Sequence, residues 1–120
     1  MKKLEVVVKN DTARLLRTAL MDLGVTGMMF TNVMGAGSRK AYTQIYRGKG
    51  YEISLMPKVK LEVVVADDMV EQVVDQILKV ASTGTAGDGK IFISPVEEAI
   101  RIRDGHRGEA VVQKKTDAQA

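Results

Sequence analysis

The residues best placed to do chemistry form one run, TGTAGDGKIF, from Thr83 to Phe92. Three of its glycines, Gly84, Gly87 and Gly89, fall within six residues. Glycine lets a backbone turn tightly and approach a ligand closely. Successive amides in such a turn make an anion-binding nest, and Lys90 adds a positive charge beside it. The run is not a Walker A loop, which leads from a strand into a helix; here the order is reversed. From the glycines alone, a plain helix-to-strand connection reads the same way. Arg101 and Arg103 lie two apart, so on an extended segment both point to one side. With Lys90 they offer three cations to a phosphate chain, the arginines with bidentate geometry. A solvated basic edge is the alternative for any one of them. His106, the single histidine, sits among Asp104, Gly105 and Arg107 and reads as a surface residue.

A second stretch stands out for lacking a core pattern. Gly35 to Pro57 holds four glycines, several charges and all three tyrosines. Loops beyond ~12–15 residues are uncommon in compact domains and are usually functional or disordered. Tyr46, Arg47 and Tyr51 there suit partner recognition, as aromatic anchors with a bidentate donor.

Elements must position these groups, and an internal repeat predicts them. KLEVVV occurs at Lys3–Val8 and again at Lys60–Val65, an offset of 57. At the same offset Asp11 matches Asp68, Leu20 matches Ile77, and Thr26-Gly27 matches Thr83-Gly84. Two copies of one βαβ-like unit follow from this. Each opens with a Val-rich run that reads as a buried strand. Each continues with a helical period: Leu15, Leu16, Ala19, Leu20 and Leu23 in the first, Val70, Val73, Val74, Ile77, Leu78 and Ala81 in the second. Asp11 or Thr12 is the expected N-cap of the first helix, and Asp68 with Glu71 resembles a capping box for the second. Gly24 and Gly84 supply stops. Strands are expected at about 25–34 and at Lys90–Ser94. The result is an α+β fold, a ferredoxin-like βαββαβ sandwich with both helices on one face of an antiparallel sheet. The other face, read as alternating Val, Ile and Met, would be an exposed apolar patch, so an oligomer is expected.

Composition narrows the function. The hydrophobic share is 45% and the charged share 28%, ordinary for a globular domain. The chain has no Cys, which excludes disulfides, thiolate zinc sites and Cys nucleophiles. A net charge of +3 without a clustered patch argues against nucleic acid. An RNA-binding βαββαβ module would need sheet aromatics, and the strands hold almost none. A small acyl-phosphate hydrolase would need an arginine cradle and a water-orienting Asn or acid. Asn10 and Asn32 are the only asparagines, and neither sits in such a constellation. No apolar run approaches a membrane span and no secretory signal is apparent, so a cytoplasmic protein is expected.

Taken together these residues resemble the PII signal-transduction family. The family's TGxxGDGKIF matches Thr83–Phe92, and its loop-end pattern LPKVK corresponds to Met56-Pro57-Lys58-Val59-Lys60 after Leu55. Its YRG falls at Tyr46–Gly48, its GxG at Gly35–Gly37, and its RIR at Arg101–Arg103. The likeness spans residues 1 to about 109 as one domain, with a T-loop at about 36–56 and a polar tail at 110–120. It implies a homotrimer binding ATP or ADP in clefts between subunits. The T-loop would then regulate a transporter at the membrane or a metabolic enzyme. Gly87, Asp88, Gly89 and Lys90 would hold phosphates, joined by Arg101 and Arg103 of the neighbouring subunit. Gly35, Gly37, Ser38, Arg39 and Lys40 would close the site from the loop base, and Glu62 and Val64 would lie on the adenine side.

The departures from the family pattern carry expectations of their own. The family's Gln ligates the Mg²⁺ that, with ATP, fixes 2-oxoglutarate; the corresponding run here is Ser38-Arg39-Lys40. Arg39 cannot ligate a cation, whereas Lys58, a 2-oxoglutarate contact in the family, is present. Nucleotide sensing is therefore expected to be retained and 2-oxoglutarate sensing lost or altered. Tyr51 aligns with the family's uridylylated tyrosine, but Lys49 and Gly50 replace the residues before it. Asn10-Asp11-Thr12 replaces the usual Pro-Phe-Lys after the first strand.

Overall fold

The computed structural model describes residues 1–38 and 53–112. Four strands form one antiparallel sheet: β1 (Lys2–Val8), β2 (Met28–Ser38), β3 (Ile53–Val65) and β4 (Lys90–Pro95), in the order β2-β3-β1-β4. Helices α1 (Asn10–Asp22) and α2 (Val70–Ala81) cross between them. Each βαβ unit is split, its two strands separated by a strand of the other, which is the ferredoxin-like arrangement the repeat predicts.

The duplicated hexapeptides pair with each other. Lys3 faces Val64, Val7 faces Lys60, and Glu5 faces Glu62 at the centre. Because Glu62 is the repeat equivalent of Glu5, a local two-fold axis passes between them. Side chains alternate across a strand. Leu4, Val6 and Val8 of β1, with Val59, Leu61, Val63 and Val65 of β3, are therefore buried under the helices. Ala13, Leu16 and Leu20 of α1 and Val70, Val73 and Ile77 of α2 close this core.

The open face differs from expectation. It presents Lys3 and Glu5 from β1, Lys60, Glu62 and Val64 from β3, Met29 and Val33 from β2, and Phe92 from β4. Opposed carboxylates would repel, but Lys3 Nζ lies 3.0 Å from Glu5 and Lys60 Nζ 3.1 Å from Glu62. Lys3 also reaches Glu62 at 3.9 Å. This is a charged ladder edged with apolar side chains, because the KLE of each repeat places its charges in the phase that faces away from the helices.

The helix caps also depart from the sequence reading. Lys9 is the N-cap of α1 and Met69 that of α2, neither helix having a side-chain cap bond. Asp68 lies instead in a 3₁₀ turn, Asp67–Met69, so no capping box forms. Asp67 is taken by the N-terminal amine at 3.0 Å and Lys2 at 3.3 Å, and both hold its carboxyl below the usual range. Gly24, at φ 93°, does end α1 as expected. Leu15 and Leu78 turn outward, 61% and 52% exposed, so each helix buries a narrower stripe than the sequence pattern implied.

Candidate functional site

The segment expected to be a loop from Gly35 to Pro57 joins the sheet at both ends. Strand pairing continues through Gly35↔Met56, Ala36↔Leu55, Gly37↔Ser54 and Ser38↔Ile53. Gly35, Gly37 and Ser38 therefore lie on a two-stranded ribbon. Arg39, Lys40, Tyr46, Arg47 and Tyr51 lie outside the described residues. Gly35 has a local reason to be glycine: a Cβ there would stand 3.2 Å from Cγ of Lys58. The Lys58 stem passes over that gap, and its ammonium donates to the Gly87 carbonyl at 3.4 Å. One side chain thus spans from the ribbon to the glycine turn.

The turn itself is folded around Asp88. The Thr83 hydroxyl donates to Oδ1 at 2.6 Å, and the Thr83 and Gly84 amides donate to Oδ2 at 2.8 and 3.1 Å. The Thr85 hydroxyl adds a longer bond to Oδ1, at 3.3 Å. These donors, the Thr83 hydroxyl foremost, hold the Asp88 carboxyl down to about 2. The Asp88 carboxylate thus organises the turn from within. Gly87 and Gly89 adopt φ 96° and 118°, a region that side chains rarely enter. A Cβ at Gly89 would overlap the Val7 carbonyl oxygen. Lys90 follows, exposed, opposite Val7, whose other neighbour is Lys60. The loop end of the open face therefore gathers Lys58, Lys60 and Lys90.

Glu62 and Val64 line a cavity of about 500 Å³ with Thr26, Gly27, Met28 and Met29. The duplicated pair Thr26-Gly27 carries no chemical motif of its own in the sequence. Its recurrence as Thr83-Gly84 marks equivalent turns of the two units, one beside this cavity and one in the glycine turn. Val111 and Val112 also line the cavity, and Glu109–Val111 is a 3₁₀ turn. The chain is thus built into the fold two residues past Ala110, where the polar tail was expected to begin.

Arg101 and Arg103 do not share an extended segment. An isolated bridge, Ile100↔Arg107, closes a hairpin whose tip is the turn 102–104. Arg101 grips Asp104 through Nε at 3.0 Å and Nη2 at 2.8 Å, and its Nη2 lies 3.1 Å from His106 Nδ1. Arg101 holds the Asp104 carboxyl well below the usual carboxylate range. Arg103 is 69% exposed and comes no nearer Asp104 than 3.8 Å. Within one chain, then, the glycine turn and Lys58 meet, and Glu62 meets Val64.

Comparison with known proteins fits this geometry. The family model for nitrogen regulatory protein P-II matches residues 1–106. A nitrogen regulatory protein P-II of Cereibacter sphaeroides is 50% identical over 93% of this chain and all of its own length. One from Haemophilus influenzae is 46% identical over the same shares. Among solved structures, Bacillus subtilis GlnK superposes with a TM-score of 0.77 at 37% identity, covering 92% of this chain and 97% of its own. The GlnK–ATP complex from B. subtilis gives 0.78 at 33% identity, covering 92% and 94%. A family match over nearly the whole chain, with the four-stranded sheet and glycine turn in place, establishes that this chain belongs to the nitrogen regulatory protein P-II family.

Proposed function

We propose that this protein is a non-enzymatic regulator, a homotrimer that binds ATP or ADP between neighbouring subunits and signals the bound nucleotide to a partner through its T-loop. Amides of the Gly87–Gly89 turn and the Lys90 ammonium receive the phosphates. Arg101 and Arg103 reach them from the neighbouring subunit. The loop base, Gly35 to Lys40, closes the site, and Glu62 and Val64 flank the adenine. Asp88 serves by keeping the turn in shape. The ATP complex of a relative with the same fold supports the nucleotide. The partner is a transporter or a metabolic enzyme, as the family resemblance implies.

The observation that carries this reading is the Lys58 bridge. Its stem lies over Gly35 at the loop base, and its ammonium meets Gly87 in the turn. An anion drawn to the turn would attract that ammonium away from the Gly87 carbonyl. Such a shift acts directly on the ribbon that carries the T-loop, which gives nucleotide and loop a shared element. Binding of Mg²⁺ through the loop base lacks its ligand, since a guanidinium has no lone pair to offer. The metal-dependent 2-oxoglutarate response is accordingly lost or altered.

Calorimetric titration of ATP and ADP into the purified protein, with light scattering for its assembly, tests the proposal. Lys90→Ala should weaken ATP by roughly tenfold to a hundredfold, as expected for loss of a charge-assisted contact. A single-chain species indifferent to both adenylates would overturn it. Micromolar 2-oxoglutarate binding to the MgATP-loaded protein would refute the lost response. Pull-down with ATP against ADP identifies the partner and the switch direction.

A further inference from the structure

We propose that Asp104 sets the specificity of the anion site by occupying Arg101, so that a phosphate chain binds Arg101 only by displacing the carboxylate. The inference rests on the reading that Arg101 meets the ligand's phosphates. A guanidinium offers two edges for bidentate contact, Nε with Nη2 and Nη1 with Nη2. Asp104 takes the first edge, with Nε 3.0 Å from each of its oxygens and Nη2 2.8 Å from Oδ2. His106 Nδ1, 3.1 Å from Nη2, faces the remaining Nη2 hydrogen and so blocks the second edge. Among the described residues, single contacts through Nη1 are what remains for an incoming anion.

The carboxylate is held ready for this competition. The His106 amide donates to its Oδ1 at 3.0 Å. The hairpin is closed by Gly105 N to Arg101 O at 2.8 Å and Arg101 N to His106 O at 2.9 Å. An acid tethered three residues away acts at a high effective concentration, against which a free anion must compete. Among the described residues Arg103 carries no such clamp; its carboxylate contact there is the 3.8 Å approach to Asp104. The two arginines are therefore unequal. Arg103 is available at once, and Arg101 engages only a ligand with enough phosphate charge to replace Asp104.

Titration of ATP, with adenosine as the uncharged control, into the assembled parent, Asp104→Asn, Arg101→Gln and the double variant tests this. Asp104→Asn should tighten ATP about fivefold to tenfold and leave adenosine unchanged, since one charge-assisted competitor is removed. In the Arg101→Gln background the same change should move ATP affinity less than twofold. Should Asp104→Asn fold poorly, Asp104→Ser must give the same tightening. Weaker or unchanged ATP binding by a well-folded Asp104 variant overturns the inference, because Asp104 would then orient Arg101 or play no part. Equal tightening in the Arg101→Gln background overturns it too, since only net charge would be at work. So does an Arg101→Gln variant that binds ATP like the parent; that result leaves the Lys90 site standing. A parent that binds no adenylate removes the proposed function and this inference together.

Discussion

Asp88 is the residue to whose role the structure adds most. It has the composition of a ligand contact and the hydrogen bonds of an internal brace. Its carboxyl is pulled down to about 2 by the donors of its own turn, the Thr83 hydroxyl first. A carboxyl lowered on folding contributes stability that is present above its unfolded value near ~4 and disappears as pH falls toward 2. Asp88→Asn should therefore melt below the parent at pH 7, with the gap closing between pH 4 and 2; thermal melts across that range check it. Gly89 is constrained more sharply, by both its positive φ and the Val7 carbonyl. Gly89→Ala should lose nucleotide binding and melt several degrees lower, since the start of β4 must lift off β1. Gly84→Ala, with open space around its Cβ position, should cost less at the same φ sign. Parallel melts of the two variants decide this.

At the scale of elements, the helices bury less than their sequence pattern suggests, and the prediction is a contrast. Leu16 is fully buried against the sheet while Leu15 beside it is 61% exposed. Leu16→Ala should destabilise by roughly 2–5 kcal/mol, the usual range for a buried Leu. Leu15→Ala should stay within about 0.5 kcal/mol, as an exposed substitution does. Urea unfolding measures both, and equal losses would mean that the helix is rotated from the position described. The β2–β3 ribbon supports a second prediction. Its register reaches Ser38↔Ile53, so residues 39–52 can be replaced by a two-residue Asn-Gly turn, which suits a hairpin twist. The shortened protein should still fold, with β2 paired to β3, which a cooperative thermal melt checks, and lose binding of the partner.

For the whole molecule, the charged ladder on the open sheet face bears on assembly. Lys3 is drawn upward by Glu5, and the Glu62 carboxyl downward chiefly by Lys60. These pairs sit where the proposed trimer must bury a face, between the apolar Val64, Met29 and Phe92. Buried ion pairs tolerate loss of one partner poorly. Glu62→Lys should therefore dissociate the assembly, while Val64→Ala should weaken it less. Light scattering against protein concentration separates the two, and an intact trimer with Glu62→Lys would place the interface elsewhere.

Periodicity and repetition alone determined much of this protein. The duplicated KLEVVV foretold the two βαβ units, and side-chain alternation foretold their shared core, because burial of Val and Leu needs only the local period. The glycine run foretold the turn, since positive φ is a property of single residues. What the tertiary structure decided depends on partners distant in sequence. Sequence pattern places Asp88 among the phosphate contacts, and only the folded turn brings Thr83 and Gly84 to its carboxylate oxygens. Sequence alone leaves the open face looking apolar, because strand phase for Lys3, Glu5, Lys60 and Glu62 is settled only by which face the helices cover. Spacing by two would point Arg101 and Arg103 to one side of an extended segment, but a turn stabilised by Asp104 and His106 separates them. Hydrophobic pattern is written into each segment, whereas the pairing of a charge is written between segments and becomes visible only when the chain has closed.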